Sequence, residues 1–208
     1  MTTADRIAKA LRGIAPQGKL FAEDVPLIDQ LAVNWDARPA SAVPAPVGGG
    51  PPGLGPTEKA VAIIKEFEGL HKLRPDGRVE AYPDPATGGA PWTIGYGATG
   101  SDVWRGTIWT RAQAEARLVA DVNRFASGVA DLVGGAATAR HEFDAMVSLA
   151  FNIGLGNFGR STLLKKHRAG DKAGAAAEFA KWNKAAGKVM AGLTRRRAAE
   201  ARLYKGQT

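Results

Sequence analysis

Between Glu68 and Gly97 the chain sets two acids and a hydroxyl in three unlike surroundings. Glu68-Gly69-Leu70 closes an apolar helical run. Asp84 sits in the turn-rich Tyr82-Pro83-Asp84-Pro85. Thr93 lies in Pro91-Trp92-Thr93-Ile94-Gly95-Tyr96-Gly97, a short strand bounded by glycines. One carboxyl kept neutral and one kept ionised, beside a group able to hold a water, meet the needs of acid/base hydrolysis of a glycosidic bond. Glu68 follows Ile64 by four residues and Val61 by seven, a spacing that shares one helical face. Its carboxyl is expected to border apolar surface near a helix C-terminus, where burial and the helix dipole both disfavour charge. A carboxyl held protonated near neutral pH is a general acid. Asp84, stiffened by prolines on an exposed loop, is expected to stay ionised and act as base on a water. Thr93 is expected to give that water a second hydrogen bond. Each residue taken alone has a plainer reading: a solvated helix-edge glutamate, a turn aspartate, a pleat residue.

Arg195-Arg196-Arg197 follow Thr194, which reads as the N-cap of a helix over roughly 194–205. Three cations in a first turn oppose the helix dipole. A local rule broken in this way marks either a partnered site or a solvated basic face. One of the three is a candidate partner for Glu68. Gly95-Tyr96-Gly97-Ala98-Thr99-Gly100 matches G-x-G-x-x-G, but its strand is short and no amphipathic helix opens after it, so dinucleotide binding is not expected. His71, His141 and His167 lack metal-pair spacing, and neither a metal site nor a cofactor is expected.

The elements that must position these residues follow from periodicity and punctuation. Thr57 caps a helix with apolar Val61, Ile64, Phe67 and Leu70. The Gly/Pro-rich stretch 74–100, with strand-like Val79–Tyr82 and Trp92–Tyr96, predicts a small β-hairpin region. Pro75-Asp76-Gly77-Arg78 reads as a turn extending it. Thr110 and Gln113 form a capping box opening a helix through Leu118, Val122 and Phe125. Helices are expected over roughly 139–152, 161–169 and 171–183, with Asp171 as an N-cap and Gly154 and Gly170 as stops. Residues 37–56 are rich in Pro and Gly and read as a spacer. Residues 1–36 carry two short helical patterns, too small to bury a core alone. Residues 57–208 form the main domain.

The 208 residues suffice for a proper core. A formal net charge of +8 points either to solubility or to an anionic partner, whether nucleic acid, acidic membrane or acidic wall polymer. The sequence has no cysteine, which excludes disulfide and thiolate chemistry. No apolar run reaches the roughly 18 residues of a membrane span, and residues 1–18 show no signal peptide or signal anchor.

Taken together, Glu68-Gly69-Leu70, Ala81-Tyr82-x-Asp84 and Trp92-Thr93-Ile94-Gly95-Tyr96-Gly97 resemble the active-site region of the phage-type, T4-lysozyme-like endolysins and muramidases of glycoside hydrolase family 24. The resemblance continues through Asn152-Ile153-Gly154-x-Gly156-x-Phe158, Ser161-Thr162-Leu163-Leu164, Phe179-x-x-Trp182-Asn183, Gly187-Lys188-Val189 and Gly192-Leu193-x-Arg195-Arg196-Arg197-x-x-Glu200, and covers about residues 57–206. It implies an α+β, mostly helical lysozyme-like fold with a small β-hairpin lobe and a helical lobe. It implies hydrolysis of the β-1,4 bond between N-acetylmuramic acid and N-acetylglucosamine in peptidoglycan, with inversion. By the same resemblance Glu68 is the acid, Asp84 and Thr93 handle the water, and Phe151 and Ser161 contact glycan. One arginine of 195–197 partners Glu68. The gap from Glu68 to Asp84 is longer than in the shortest members, and Ala98 stands where many members have histidine. The implied partner is bacterial peptidoglycan, reached by a monomer from the host cytoplasm through a holin-made lesion, with no nucleic acid and no stable membrane insertion.

Two other readings remain at this stage. A lytic transglycosylase uses one acid and no water-activating base, so Asp84 and Thr93 speak against it. A non-enzymatic basic module explains the charge but not the paired acids.

Overall fold

A computed structural model of the chain describes residues 56–84 and 88–207. The helical patterns expected over 1–36, the spacer short of Pro56, and Pro85 to Thr87 lie outside the described residues.

Helix α1 spans Glu58–Glu68. It starts where expected because the Thr57 hydroxyl accepts from Lys59 N, and it stops at Gly69 with φ 67°. The start is also tied to the core. Thr57 N donates to Asp144 Oδ1 at 3.0 Å, and the Thr57 hydroxyl donates to Asp144 Oδ2. Ile64 is fully buried on the inner face, a burial worth roughly 2–3 kcal/mol.

The segment from Leu73 to Trp109 is a set of very short antiparallel pairs. β1 (Val79–Glu80) pairs with β4 (Ile108–Trp109), and β2 (Tyr82–Pro83) pairs with β3 (Trp92–Thr93). The expected single strand over Val79–Tyr82 is thus two strands with different partners. They separate at Ala81, whose N–H donates to Thr107 O at 2.9 Å. The expected strand over Trp92–Tyr96 pairs only at its first two residues, after which Ile94 bridges Ala98 around the Gly95-Tyr96-Gly97 turn. The turn at Pro75–Arg78 is present: Arg74 N donates to Arg78 O at 2.8 Å below a Leu73–Val79 bridge. Inside it, hydrogen bonds from Arg78 hold the Asp76 carboxyl down at about 2.

The helical part is built around α3 (Arg140–Ile153), in which every residue from Glu142 to Ala150 is buried. Against it pack α1, α2 (Arg111–Val133) and α7 (Ala191–Tyr204). A helix buried on all sides is the centre of its layer. The Thr110–Gln113 capping box opens α2 with reciprocal bonds of 3.1 and 2.8 Å. Gly128 on α2 lets Leu155, the first residue of a later short helix, come close, since a Cβ there would lie 2.4 Å from Leu155 Cδ1. Three short helices follow: α4 (Leu155–Gly159), α5 (Thr162–Arg168) and α6 (Lys172–Glu178). Asp171 caps α6 as expected, but the helix ends five residues before 183 and passes into a 3₁₀ turn over Phe179–Trp182. A hairpin not anticipated from periodicity comes next, β5 (Lys184–Ala185) with β6 (Lys188–Val189). Ala186 and Gly187, with φ 47° and 77°, make its two-residue turn.

The start of α7 corrects the sequence reading. Met190, not Thr194, is its N-cap, and the Thr194 hydroxyl donates back to Met190 O at 3.0 Å. Arg195–Arg197 therefore lie in the second turn, beyond the dipole's strongest reach, and do not oppose it as three cations in a first turn would. What sets them apart is burial: Arg196 is 3% exposed and Arg197 1%.

A polar cluster lies in the core under α5. The His167 ring is buried. Nε2–H donates to Thr138 Oγ1 at 2.8 Å, and the Thr138 hydroxyl passes on to Ala136 O at 2.8 Å. The Tyr204 hydroxyl donates to Nδ1 at 2.6 Å. A neutral imidazole satisfies both bonds. Burial and the neighbouring Lys172 ammonium push the ring down to about 4.

Candidate active site

Glu68 is the last residue of α1, and its side chain is 23% exposed at the edge of the core. The apolar border expected from Val61 and Ile64 is present: Ile64 is buried and Val61 packs partly against the core. His71 Nε2–H donates to Glu68 O at 2.8 Å and so satisfies a terminal carbonyl of the helix. The two carboxyl oxygens have different surroundings. Oε1 accepts from Arg196 Nη1 at 2.8 Å. Oε2 faces Gly97, where a Cβ would lie 3.8 Å away. Gly97 has φ 88°, which a side chain would disfavour, so the turn both needs glycine and leaves this oxygen open.

The β2–β3 register gathers the other residues. Tyr82 pairs with Thr93 and Pro83 with Trp92. The ladder runs on past the strands, because Asp84 N donates to Pro91 O at 3.1 Å as well as to Gly89 O at 3.0 Å. Side chains alternate along such a ribbon, so Tyr82, Asp84 and Thr93 share one face, with Asp84 and Thr93 as diagonal neighbours roughly 7–8 Å apart at the backbone. Burial, and secondarily the charge of Glu68, raise the Tyr82 phenol above its usual range. Glu68 is thus among the charges felt by Tyr82 on this ribbon.

Arg196 is the arginine that meets Glu68, a choice the sequence left open among three. Each nitrogen of its planar guanidinium has a partner: Nη1 donates to Glu68, Nε to Glu200 Oε1 at 3.1 Å and Nη2 to Ser148 O at 3.4 Å. It also lies over the Phe67 ring at 5.8 Å. Arg197 Nη2 donates to Asn152 Oδ1 at 3.1 Å and to Glu200 Oε1 at 3.2 Å. Ser148 donates to the same Glu200 oxygen at 2.7 Å. Burial raises Glu200 above the carboxylate range and lowers Arg197 below the arginine range.

Phe151 and Ser161 are less exposed than a glycan contact suggests. The Phe151 ring packs on the core, with its centroid 5.0 Å from that of Phe125. Ser161 is buried, and its hydroxyl donates to Phe158 O at 2.6 Å while accepting from Leu164 N at 3.1 Å as the N-cap of α5. It lines a surface basin of about 340 Å³ with Arg160, Lys165 and Arg168, whose walls include none of Glu68, Asp84 and Thr93. A second basin of about 540 Å³ shares Tyr82 with the site and is walled by Lys72, Arg74 and Glu80.

Sequence reasoning passed over Tyr82 and Ser148. Ser148 had a signal: a hydroxyl in the apolar run Met146–Ala150, four residues before Asn152 on the same face. Among the described residues no group of three His, Cys, Asp or Glu side chains could hold a metal ion.

Comparison with known proteins adds to this geometry. The model of the family described as phage lysozyme matches residues 65–200. The endolysin of Bacillus phage PZA is 42% identical over 152 residues, which are 73% of this chain and 55% of that protein. The chain thus spans about half the length of that relative. Among solved structures, the endolysin from Escherichia coli O157:H7 phage FAHEc1 is 39% identical, with a TM-score of 0.60 over 71% of this chain and 91% of the other. The muramidase domain of SpmX from Asticaccaulis excentricus is 34% identical, with a TM-score of 0.61 over 71% and 95%.

Proposed function

The chain belongs to the phage lysozyme family, and on that footing we propose that it is a peptidoglycan hydrolase, an N-acetylmuramidase that cleaves the β-1,4 bond after N-acetylmuramic acid. The observation that carries this reading is a half-buried carboxyl at the end of α1, ion-paired at 2.8 Å to Arg196, in a chain whose β2–β3 ribbon bears an aspartate and a threonine. In the reaction, Glu68 gives its proton to the glycosidic oxygen as the C1–O bond breaks. A water held by Asp84 and Thr93 attacks C1 from the opposite face and yields its proton to Asp84. One bond is exchanged in one displacement, so the configuration at C1 inverts. Gly97 leaves Oε2 accessible for the transfer, while Arg196 occupies Oε1.

Phe151 contributes to this scheme as a wall residue. Ser161, with its hydroxyl used in capping α5, acts by shaping the backbone of the basin it lines. Catalysis is assigned to residues 57–208, which carry every element of the site. No helix among the described residues is long and apolar enough to cross a membrane. Passage to the wall through a holin-made lesion, and action as a monomer, complete the proposal.

The experiment is hydrolysis of purified sacculi by wild type and Glu68→Gln, with the anomeric form of the first product read by NMR. Loss of a general acid costs about 10²–10⁴-fold. The expected result is that loss in the variant, with α-anomer released first by the wild type. Lysis by Glu68→Gln within a few-fold of wild type overturns the assignment. β-Anomer as first product overturns the single displacement, and a 1,6-anhydro product points to a transglycosylase.

A further inference from the structure

We infer that Glu200 is a positioning residue for the general acid: its buried carboxylate holds Arg196 in the orientation that presents Nη1 to Glu68. The inference rests on the role proposed for Glu68.

Glu200 is fully buried on α7, one turn after the two arginines. Three elements meet around it. From α7 itself come Arg196 Nε at 3.1 Å and Arg197 Nε at 3.0 Å. From α3 come the Ser148 hydroxyl at 2.7 Å and, through Arg197, the Asn152 amide. From α1 comes Glu68, reached through Arg196. A guanidinium is rigid and planar, so fixing Nε fixes the direction of Nη1. Glu200 and Ser148 O together take the Nε and Nη2 positions of Arg196, which leaves Nη1 aimed at Glu68.

Stability alone is a poor account of this cluster. Arg197 Nη1 is buried without a hydrogen-bond partner, and Arg197 Nε and Glu200 Oε2, though an ion pair 3.0 Å apart, are not aligned for a hydrogen bond. A partly satisfied buried ionic network is a costly way to hold helices together, and apolar packing would do the same with less loss. Charge balance supplies the reason. Arg196 is bonded to Glu68, Arg197 follows it on the same helix, and the Glu200 carboxyl faces both guanidiniums. Removing the Glu200 charge leaves the positive charge of Arg196 less balanced, a change that favours a neighbouring carboxylate over the acid form that donates a proton.

The test uses the full chain on purified peptidoglycan. Glu200→Gln is nearly isosteric and keeps an acceptor for Arg196 Nε and Ser148 while removing the charge. The expected result is a folded protein by circular dichroism whose alkaline limb of kcat/KM against pH moves about one unit to lower pH. At neutral pH kcat falls about tenfold and KM stays unchanged. If Glu200→Gln does not fold, Ser148→Ala carries the test, because losing its bond leaves Glu200 less firmly ionised and moves the limb the same way. An unmoved limb in the folded variant, or a loss confined to KM, overturns the inference. Glu68→Gln run in parallel separates the two readings. An inactive Glu68→Gln with an unmoved limb in Glu200→Gln overturns this inference alone, whereas an active Glu68→Gln overturns both.

Discussion

Gly97 sits 3.8 Å, by a virtual Cβ, from the oxygen to which the catalytic proton is assigned. An alanine there would be strained at φ 88° and would bring a methyl into van der Waals contact with Oε2. Gly97→Ala is therefore expected to lower kcat by more than about tenfold while costing only about 1 kcal/mol in a urea titration. Equal activity would mean that the proton leaves from another position. At this scale the sequence was informative where local periodicity applies. The helical spacing of Val61, Ile64 and Glu68 placed the acid on a half-apolar face, and that is where it lies. The side shared by Asp84 and Thr93 follows from the β2–β3 register, which the sequence did not supply. The choice among Arg195, Arg196 and Arg197 was not legible, because it depends on the rotation of α7 about its axis. One residue of shift turns a helix by about 100°, and the misjudged start left that rotation undetermined.

At the scale of elements, most of the helix starts were readable because capping is local chemistry. Thr57, Thr110 and Asp171 each cap as expected. Thr194 misled because a threonine inside a helix can bond back to the carbonyl four residues earlier, which is what it does. The strands were harder. Pairs of two residues carry no period, and their partners, such as Val79 with Trp109, lie far apart in sequence. The value of a cap can be measured at Thr57. Thr57→Ala removes the bond to Lys59 N and the hydroxyl that serves the buried Asp144 carboxylate. The expected loss is about 1–3 kcal/mol, read as a lower urea midpoint with an unchanged slope. A midpoint equal to wild type would mean that water replaces the hydroxyl at no cost.

For the whole molecule, the His167 cluster links stability to pH. The ring is held down at about 4, against an ordinary value of about 6.5. A depressed folded value favours the neutral form, so its contribution is complete above pH 6.5 and is lost as pH falls toward 4. The unfolded chain takes up the proton in that window, while the folded ring, bonded at both nitrogens, refuses it. The loss between pH 7 and pH 4 is about 3 kcal/mol. Urea titrations at both values are expected to show a steeper acid decline in wild type than in His167→Gln. Parallel declines would assign the acid sensitivity to carboxylates alone. The formal net charge of +8 acts over a longer range. Beyond about 8 Å exposed charges are screened at physiological ionic strength, so the initial rate on whole sacculi should fall as salt rises, while the rate on short soluble glycans stays level. A flat salt response on sacculi would leave solubility as the role of the charge.

The ion pair between Glu68 and Arg196 joins residues 128 positions apart. Translation delivers the acid early and its counter-ion late. A nascent chain that has emerged through β6 already holds Glu68, Asp84 and Thr93, yet α7 has not been made and the acid has nothing to orient it. Products ending before Met190 lack Arg196 and are expected to be inert. The paired acid thus waits for α7, however early Glu68 itself is made.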